Sequence, residues 1–374
     1  MITVEDTPEQ AAYRAEIRRW AERHITGDMR FSRDHARLLD LDRLLARHGL
    51  LAASWPAEYG GAGLPLVLQT ILTQELERAG VQRAKSPSHQ GVNNIGPTLI
   101  THGTEDQKRR LLPAILSVTE LWCQGFSETE AGSDLASVRT TARRAGDEYV
   151  VSGAKIWTSG AEHASWIYLL VRTGTPSQRH RGLSFLVTPT DVAGLTTRPI
   201  EQVVGESEFS EVLLDEVRIP VGNRVGAEGS GWSVAMALLS SERLSGRHRY
   251  GLLRHELVAL AGEYQRDGRL GDAAARDLGR LVAEVEGMKA LADRIESLAA
   301  AGSDAGVLPS VNKLWWPAVH QRLAEAGLGA TTSGRGDPSP WYDQWLATRP
   351  ESIYGGAAEI QRNIISERFL KLPR

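Results

Sequence analysis

A glutamate about two thirds of the way along the chain could act as a general base. The residues at helical spacing around it are Ala235, Leu239, Glu242 and Gly246. This spacing places Glu242 on a small, apolar stripe of a predicted helix. Burial raises the pKa of a carboxyl group toward neutrality, which suits a base that removes a weakly acidic proton. The alternative is a solvated Glu242 in an ordinary ion pair, for example with Arg249.

Three segments that contain glycine could hold a ligand. They are Phe-Ser-Glu-Thr-Glu-Ala-Gly-Ser-Asp at 126–134, Gly-Ala-Lys-Ile-Trp-Thr-Ser-Gly at 153–160 and Ser-Ile-Tyr-Gly-Gly-Ala-Ala-Glu-Ile-Gln-Arg-Asn-Ile-Ile at 352–365. Taken singly, the first is typical of a turn and the second of a half-buried strand. In the third, a helix that follows Gly355 and Gly356 exposes free N–H groups, which bind anions. The joint presence of the three segments favours a binding site.

Together these segments resemble the acyl-CoA dehydrogenase family, and the resemblance runs from about Trp55 to Arg374. It implies a flavoprotein that binds FAD and removes two hydrogens from the α and β carbons of an acyl thioester. The acyl group would be carried by CoA or by an acyl-carrier protein, in lipid metabolism. An electron-transfer flavoprotein or a similar protein would accept the electrons. The sequence has neither a G-x-G-x-x-G motif after a strand nor a P-loop, and the family binds FAD without a Rossmann unit.

The resemblance also assigns residues to the cofactor. Phe126 and Ser127 would face the pyrimidine edge of the flavin, and the Trp157 indole would shield its ring. The full implied set is Phe126, Ser127, Gly132, Ser133, Trp157, Thr158, Ser159, Ala357, Ala358 and Glu359. The family usually has Thr-Ser at the positions of Ala357 and Ala358, so hydroxyl contacts are lost there and only backbone contacts remain.

The main departure from the family concerns the catalytic base. Many members carry a glutamate directly after the tyrosine of the terminal segment, where this chain has Gly355. Other members carry it on an earlier helix in a Glu-Arg pair, which this chain has at Glu242 and Arg243. The resemblance therefore implies that Glu242 is the base and that the Gly355 N–H donates to the thioester carbonyl. The implied substrate contacts are Ser133, Met236, Leu239, Arg243, Gly355 and Gly356, and no metal is expected.

A second departure concerns subunit association. Symmetric tetramers of the family often carry an R-x-x-F-G motif, whereas residues 265–271 read Gln-Arg-Asp-Gly-Arg-Leu-Gly. This favours the subgroup that includes heteromeric enzymes, and we expect a homo- or hetero-oligomer. Two other functions stay open at this point. One is a flavin oxidase or monooxygenase on the same fold, and the other is a subunit that completes the flavin site of a heteromeric dehydrogenase.

The elements that must position these residues indicate an α+β fold. Apolar residues at helical spacing predict helices at Ala11–Ile25, Arg37–His48 and Val67–Ala79, and a capping box at Thr104 opens another helix, which Pro113 interrupts. Short β-rich runs predict strands at Tyr149–Val151, Trp166–Val171, Ser184–Thr188 and Glu211–Leu214. The implied order is an N-terminal helical domain (1–118), a middle β domain (119–222) and a C-terminal helical bundle (223–374).

Composition excludes several classes of protein. A chain of 374 residues with a formal charge of −3 carries no signal for binding nucleic acid. Its one cysteine, Cys123, excludes an internal disulfide. No window approaches the roughly 18 apolar residues of a membrane span. We therefore expect a soluble, cytoplasmic protein with no membrane partner.

Overall fold

The computed structural model describes residues 6–373, with gaps at 28, 30–31, 33, 82–85, 206–207, 243–245, 267–270 and 333–338. The side chains of residues 240–242, 246–248, 266, 300, 332 and 339 also lie outside the described part. The chain divides into two compact units. The sheet unit comprises residues 27–72 and 83–242, and the helical unit comprises residues 1–26, 73–82 and 243–374.

An eight-stranded, mostly antiparallel sheet forms the centre of the sheet unit. Its strands are β1 (Trp122–Gly125), β2 (Thr141–Ala145), β3 (Glu148–Ser159), β4 (Trp166–Arg172), β5 (Leu183–Pro189), β6 (Leu195–Ile200), β7 (Phe209–Pro220) and β8 (Arg224–Val225). The strand order is β6-β7-β3-β2-β4-β5-β8, and β1 pairs with β4 in parallel. All of β4 beyond its first residue is buried, as a run of apolar residues in a covered strand predicts.

The helices of the chain are α1 (Pro8–His24), α2 (His35–Arg47), α3 (Leu66–Arg78), α4 (Gly96–His102), α5 (Glu105–Leu116), α6 (Gly231–Glu242), α7 (Gly246–Arg266), α8 (Asp272–Ala300), α9 (Leu308–Thr332), α10 (Ser339–Thr348) and α11 (Ala358–Arg368). Within the helical unit, α7, α8, α10 and α11 all pack against α9. Leucine, valine and tryptophan side chains of α7 to α10 form its core, and each fully buried one contributes about 1.5–3 kcal/mol.

Most of the predicted elements are confirmed, with small shifts at their ends. The predicted helices correspond to α1, α2 and α3, and the predicted strands lie within β3, β4, β5 and β7. The capping box at Thr104 is confirmed, because its hydroxyl accepts from the Gln107 N–H and the Gln107 side chain accepts from the Thr104 N–H. The interruption predicted at Pro113 is wrong. Pro113 lies in the last turn of α5, where the missing N–H costs a single hydrogen bond and the helix continues to Leu116.

Candidate functional site

A bulge in β3 presents the predicted flavin-shielding tryptophan. Lys155 pairs with Val212 of β7, but Thr158 pairs with Ser210, so β3 contains one extra residue in this stretch. Trp157 lies in this bulge and has a left-handed backbone, with a φ of 61°. Its indole is 56% exposed within the described structure and touches Phe209 edge-on, with 6.1 Å between the ring centroids. A large, exposed aromatic side chain on a firmly paired strand is suited to covering a planar ligand.

The turn that follows β1 lies directly beside this bulge. The Ile156 N–H donates to the Ser127 carbonyl over 2.9 Å, which joins two of the predicted flavin segments. The Phe126 ring is buried and meets Tyr168 and Phe185 edge-on. The structure therefore brings together the predicted residues 126–127 and 157–159. Thr158 is fully buried, and its hydroxyl has no hydrogen-bond partner among the described residues.

Gly132 and Ser133 are exposed, a few residues further along the same turn. A Cβ built on Gly132 would meet no heavy atom within 4 Å, and its backbone is not in the left-handed region. The fold itself therefore does not require glycine here. The predicted reason for this glycine, the close approach of a ligand to the backbone, stays a prediction.

Helix α6 packs on β4 and β5, the strands that also carry the rings around Phe126. A Cβ on Gly231 would lie 2.3 Å from the Ser184 carbonyl carbon, so only glycine allows α6 to begin this close to β5. Met236 and Leu239 are half-buried on α6. Glu242 is its last residue, but the Glu242 side chain and all of Arg243 lie outside the described residues.

In the helical unit, the two glycines of the terminal segment have positive φ angles, 63° at Gly355 and 92° at Gly356. A Cβ on Gly355 would lie 3.4 Å from Lys313 Cε. Helix α11 begins two residues later, and its N-cap Ala357 makes no side-chain capping bond. The predicted backbone contacts of Ala357 and Ala358 to the cofactor stay a prediction. Glu359 is exposed in the first turn of α11.

Lys313 is a buried cation beside this glycine turn. Its ammonium donates to the Glu351 carbonyl over 2.5 Å and lies 5.4 Å from the centre of the Tyr354 ring. Burial, together with the nearby Arg249 charge, lowers the pKa of Lys313 to about 8. Lys313 is therefore the charged group that any side chain placed at Gly355 would meet first.

A buried histidine lies deeper in the same unit. His320 Nδ1 is 2.9 Å from the Glu351 carboxylate, and Nε2 is 3.0 Å from Glu256 Oε2. Burial alone would lower the pKa of His320, but the two flanking carboxylates raise it to about 10. Gln344 donates to Glu256 over 2.9 Å. His320 thus joins α7, α9 and the turn before the terminal segment, between two carboxylates that favour its protonated form.

Sequence reasoning missed these buried charges. Lys155 in β3 and Glu128 in the turn after β1 form an ion pair of 2.8 Å, and Lys155 is completely buried. One signal was present, since the strand alternation places Lys155 on the same face as the buried Val151, four residues earlier. No such signal marks His320, because its two partners are 64 and 31 residues away along the chain.

Two further observations concern metal binding and membrane spanning. In the described part of the chain, no cluster of three or more His, Cys, Asp or Glu residues could hold a metal ion. Of the helices that the structure describes, none is both long and apolar enough to cross a membrane.

The chain matches the three domains of one family along nearly its whole length. Residues 7–119 match the acyl-CoA dehydrogenase N-terminal domain, residues 123–217 the middle domain and residues 229–370 the C-terminal domain. Acyl-CoA dehydrogenase IpdE1 of Mycolicibacterium smegmatis is 39% identical, over 97% of each chain. Acyl-CoA dehydrogenase IpdE1 of Mycobacterium tuberculosis is 40% identical over the same shares.

Solved structures agree with this result. The Tcur3481-Tcur3483 steroid ACAD superposes with a TM-score of 0.88 at 29% identity, with both chains covered completely. The ChsE4-ChsE5 complex from Mycobacterium tuberculosis gives a TM-score of 0.86, also at 29% identity and complete coverage.

The fold and these matches define a flavoprotein oxidoreductase with helical, sheet and helical domains. The chain belongs to the acyl-CoA dehydrogenase family. Members of this family are FAD-dependent, which confirms the predicted cofactor, and the predicted α+β fold and enzyme class are confirmed as well. The individual site residues and the domain boundaries at 118/119 and 222/223 stay predictions.

Proposed function

We propose that this enzyme dehydrogenates an acyl thioester between its α and β carbons, with Glu242 as the base. The observation that carries the proposal is the glycine at 355, which leaves the terminal segment without the carboxylate that many family members have there. A base must then come from elsewhere, and Glu242 ends a helix whose residues Met236 and Leu239 are half-buried. These two side chains would contact the acyl group.

In this reaction the α-proton leaves to a base while the β-hydrogen leaves with its electron pair. FAD, when bound, supplies the acceptor for that hydride. The Glu242 carboxylate takes the proton. A carboxyl group whose pKa burial raises toward neutrality is suited to this role. The Gly355 N–H donates to the thioester carbonyl oxygen, where negative charge develops as the proton departs.

The residues of the sheet unit fit a flavin. Trp157 offers an exposed indole on a rigid strand, and Thr158 has a buried hydroxyl that lacks a partner among the described residues. Ser127 and Ser159 flank this place with further hydroxyls and backbone groups. We propose that these residues hold the flavin ring and that the backbone at 357–359 holds a phosphate or ribose of FAD.

Replacement of Glu242 tests the base. Glu242→Gln keeps the size of the side chain but cannot accept the proton, so turnover should fall roughly 10²–10⁴-fold while FAD content stays normal. The assay is reduction of a dye acceptor by thioester substrate. Glu325→Gln is the matched control, because Glu325 forms an exposed ion pair with Arg349. Turnover of Glu242→Gln within a few-fold of the wild type would contradict the assignment.

A second experiment asks whether positions 242 and 355 serve the same proton. Glu242→Gly removes the base, and adding Gly355→Glu returns a carboxylate to the family's other location. Some activity should return, but Lys313 beside position 355 will hold the new carboxylate in an ion pair and limit the recovery. Lys313→Met in the same background should raise it. No recovery in either background would count against a shared proton.

The two alternatives have their own tests. An oxidase consumes oxygen with substrate and without a dye, whereas the proposed dehydrogenase needs an added acceptor such as an electron-transfer flavoprotein. A subunit that only completes a partner's flavin site would be purified without FAD. A yellow protein with stoichiometric FAD and Glu242-dependent activity would exclude that role.

The relatives suggest a bulky substrate and a heteromeric assembly. One similar structure is named a steroid ACAD, and another is a complex of two different chains. We propose that this chain acts on a polycyclic acyl thioester, for which the missing side chain at Gly355 leaves room, and that it works in an oligomer. A panel of straight-chain, branched and steroid thioesters should show the highest kcat/KM with the steroid. A preference for straight chains would contradict this.

A further inference from the structure

The ammonium of Lys155 joins three separate segments of the sheet unit. It donates to Glu128 Oε1 over 2.8 Å, to the Leu170 carbonyl over 2.6 Å and to the Phe126 carbonyl over 3.2 Å. All three of its hydrogens therefore have acceptors, although the residue is completely buried in β3. A buried ammonium is costly unless it is fully hydrogen-bonded, and here the bonding is complete.

The carboxylate of Glu128 extends this connection. Its Oε1 accepts from the Thr140 N–H over 2.9 Å, and its Oε2 accepts from the Arg139 N–H over 2.6 Å. The Glu128 backbone exchanges two hydrogen bonds with Ala131, which closes the turn. The Glu128 side chain thus bonds β3 and the two residues that precede β2.

These bonds surround Ser127 on both sides. Lys155 donates to the carbonyl of Phe126, the residue before Ser127, and to the carboxylate of Glu128, the residue after it. The Ser127 carbonyl itself accepts from Ile156, the residue that follows Lys155. Trp157 comes next in the chain. One buried cation thus fixes the spacing between the turn at Ser127 and the bulge that carries Trp157.

We propose that Lys155 and Glu128 are positioning residues for FAD, which hold the Ser127 backbone and the Trp157 indole at the separation that the flavin ring requires. The inference rests on the flavin placement proposed above. Neither residue needs to touch the cofactor. The pair acts through the backbone of the turn at Ser127 and of the bulge at Trp157. Regular strand pairing does not hold this backbone in place.

The charge state of the pair supports this role. Burial lowers the pKa of Lys155 to about 8, while the nearby Glu128 acts against that change. Burial would raise the pKa of Glu128, but Lys155 holds it below the ordinary value. Arg172 is the other charged group that acts on Lys155. Near pH 7 the ammonium therefore keeps all three donors.

An ion pair that merely stabilises the fold predicts a different result. Replacing both members of such a pair by apolar side chains of similar size is often neutral or stabilising. A positioning pair loses its function on the same replacement, because Met and Leu cannot bond the Phe126 and Leu170 carbonyls or the Thr140 N–H. The double variant Lys155→Met with Glu128→Leu separates the two roles.

The experiment measures FAD binding to apoprotein by flavin fluorescence and the environment of bound FAD by visible circular dichroism. Lys155→Met and the double variant should bind FAD about tenfold or more weakly, by analogy with metal sites, where replacing a residue that orients a ligand weakens metal binding by about that much, and should show altered flavin dichroism. Glu128→Gln, which keeps the side-chain shape, covers the case in which Lys155→Met fails to fold. Arg218→Met is the matched control, because Arg218 forms an exposed pair with Glu148 of β3.

The outcomes distinguish this inference from the flavin placement. If Trp157→Ala weakens FAD binding but the folded Lys155→Met and Glu128→Gln proteins bind FAD within threefold of the wild type with unchanged dichroism, the positioning role is wrong. If Trp157→Ala also leaves binding unchanged, the flavin does not lie here and the placement itself is wrong. Weakened binding in Trp157→Ala, Glu128→Gln, Lys155→Met and the double variant, with a normal Arg218→Met control, supports both.

Discussion

The sheet unit and the helical unit each bury a charged group, but the two groups hold different kinds of structure. Lys155 in the sheet unit bonds the Phe126 carbonyl and the Glu128 carboxylate of the turn after β1, and the Leu170 carbonyl of β4. His320 in the helical unit lies between the carboxylates of Glu256 and Glu351. The first group fixes backbone atoms, and the second fixes side chains between elements.

The two buried charges therefore affect different properties of the protein. Between its ends, a regular helix satisfies its own backbone, so a charge between helices acts mainly on side-chain packing and on stability. The turn at Ser127 and the bulge at Trp157 lack the regular hydrogen bonds of a strand pair. A charge beside them therefore decides where their backbone donors point. We therefore expect changes at His320 to alter stability and changes at Lys155 to alter cofactor binding.

The largest effect is expected for His320→Leu, which leaves two buried carboxylates facing each other without a cation. Breaking a buried pair in this way costs about 3–5 kcal/mol of unfolding free energy. Chemical denaturation followed by far-ultraviolet circular dichroism measures the loss. Arg322→Leu on the same helix is the control, because its pair with Glu284 is partly exposed, and it should cost less than about 1 kcal/mol. Similar small losses in both variants would contradict the role of His320.

The protonation of His320 gives the next effect. Its pKa is raised from 6.5 to about 10, so the folded state holds this proton more tightly than the unfolded state. The stabilisation is therefore complete below pH 6.5 and is lost as the pH rises toward 10, by about 2 kcal/mol between pH 6.5 and 8. Above pH 8, Lys313 adds a change of opposite sign because its own pKa is lowered.

Histidine-selective NMR checks this prediction directly. The His320 signal, assigned by its disappearance in His320→Gln, should keep the chemical shifts of a protonated ring through pH 8. A titration midpoint near 6.5, as for an ordinary histidine, would show that the two carboxylates do not hold the proton.

A smaller effect on stability is expected for Lys155→Met, about 1–3 kcal/mol, because Glu128 keeps its two backbone donors. Cys123 of β1 reports it, since this buried thiol is the one cysteine of the chain and burial raises its pKa. Labelling by a thiol reagent should accelerate about tenfold for each 1.4 kcal/mol lost. Arg218→Met should label like the wild type. Equal labelling rates in Lys155→Met and wild type would mean that the ion pair does not stabilise the sheet unit.

The smallest effect is expected when a glycine of the predicted site is replaced by alanine, and each unit offers one such glycine. Gly355→Ala places a side chain at a φ of 63°, which should cost about 1–2 kcal/mol. Gly132→Ala should cost nearly nothing, because a Cβ there meets no atom within 4 Å and the backbone is not left-handed. Thermal denaturation of the two variants makes the comparison. A larger loss for Gly132→Ala would reverse our distinction between a glycine required by the backbone and one that leaves room for a ligand.

Local patterns in the sequence were enough for the fold class, for helices α1 to α3, for strands within β3, β4, β5 and β7, for the capping box at Thr104 and for the family. These features depend on residues a few positions apart, or on motifs that the chain carries intact, such as the segments at 126–134 and 153–160. The same kind of pattern gave the wrong result at Pro113, because the proline removes one backbone donor but the rest of α5 continues around it to Leu116.

Only the tertiary structure decided which residues come together across long separations. Lys155 and Glu128 are 27 residues apart, and His320 and Glu256 are 64 apart. Whether a lysine or histidine is buried as an ion, and what it holds, depends on the positions of partners that no local spacing encodes. The bulge at Trp157 is of the same kind, because its extra residue exists only relative to the partner strand β7. A charge or an irregular backbone takes its role from the atoms packed around it, and the fold alone brings those atoms together.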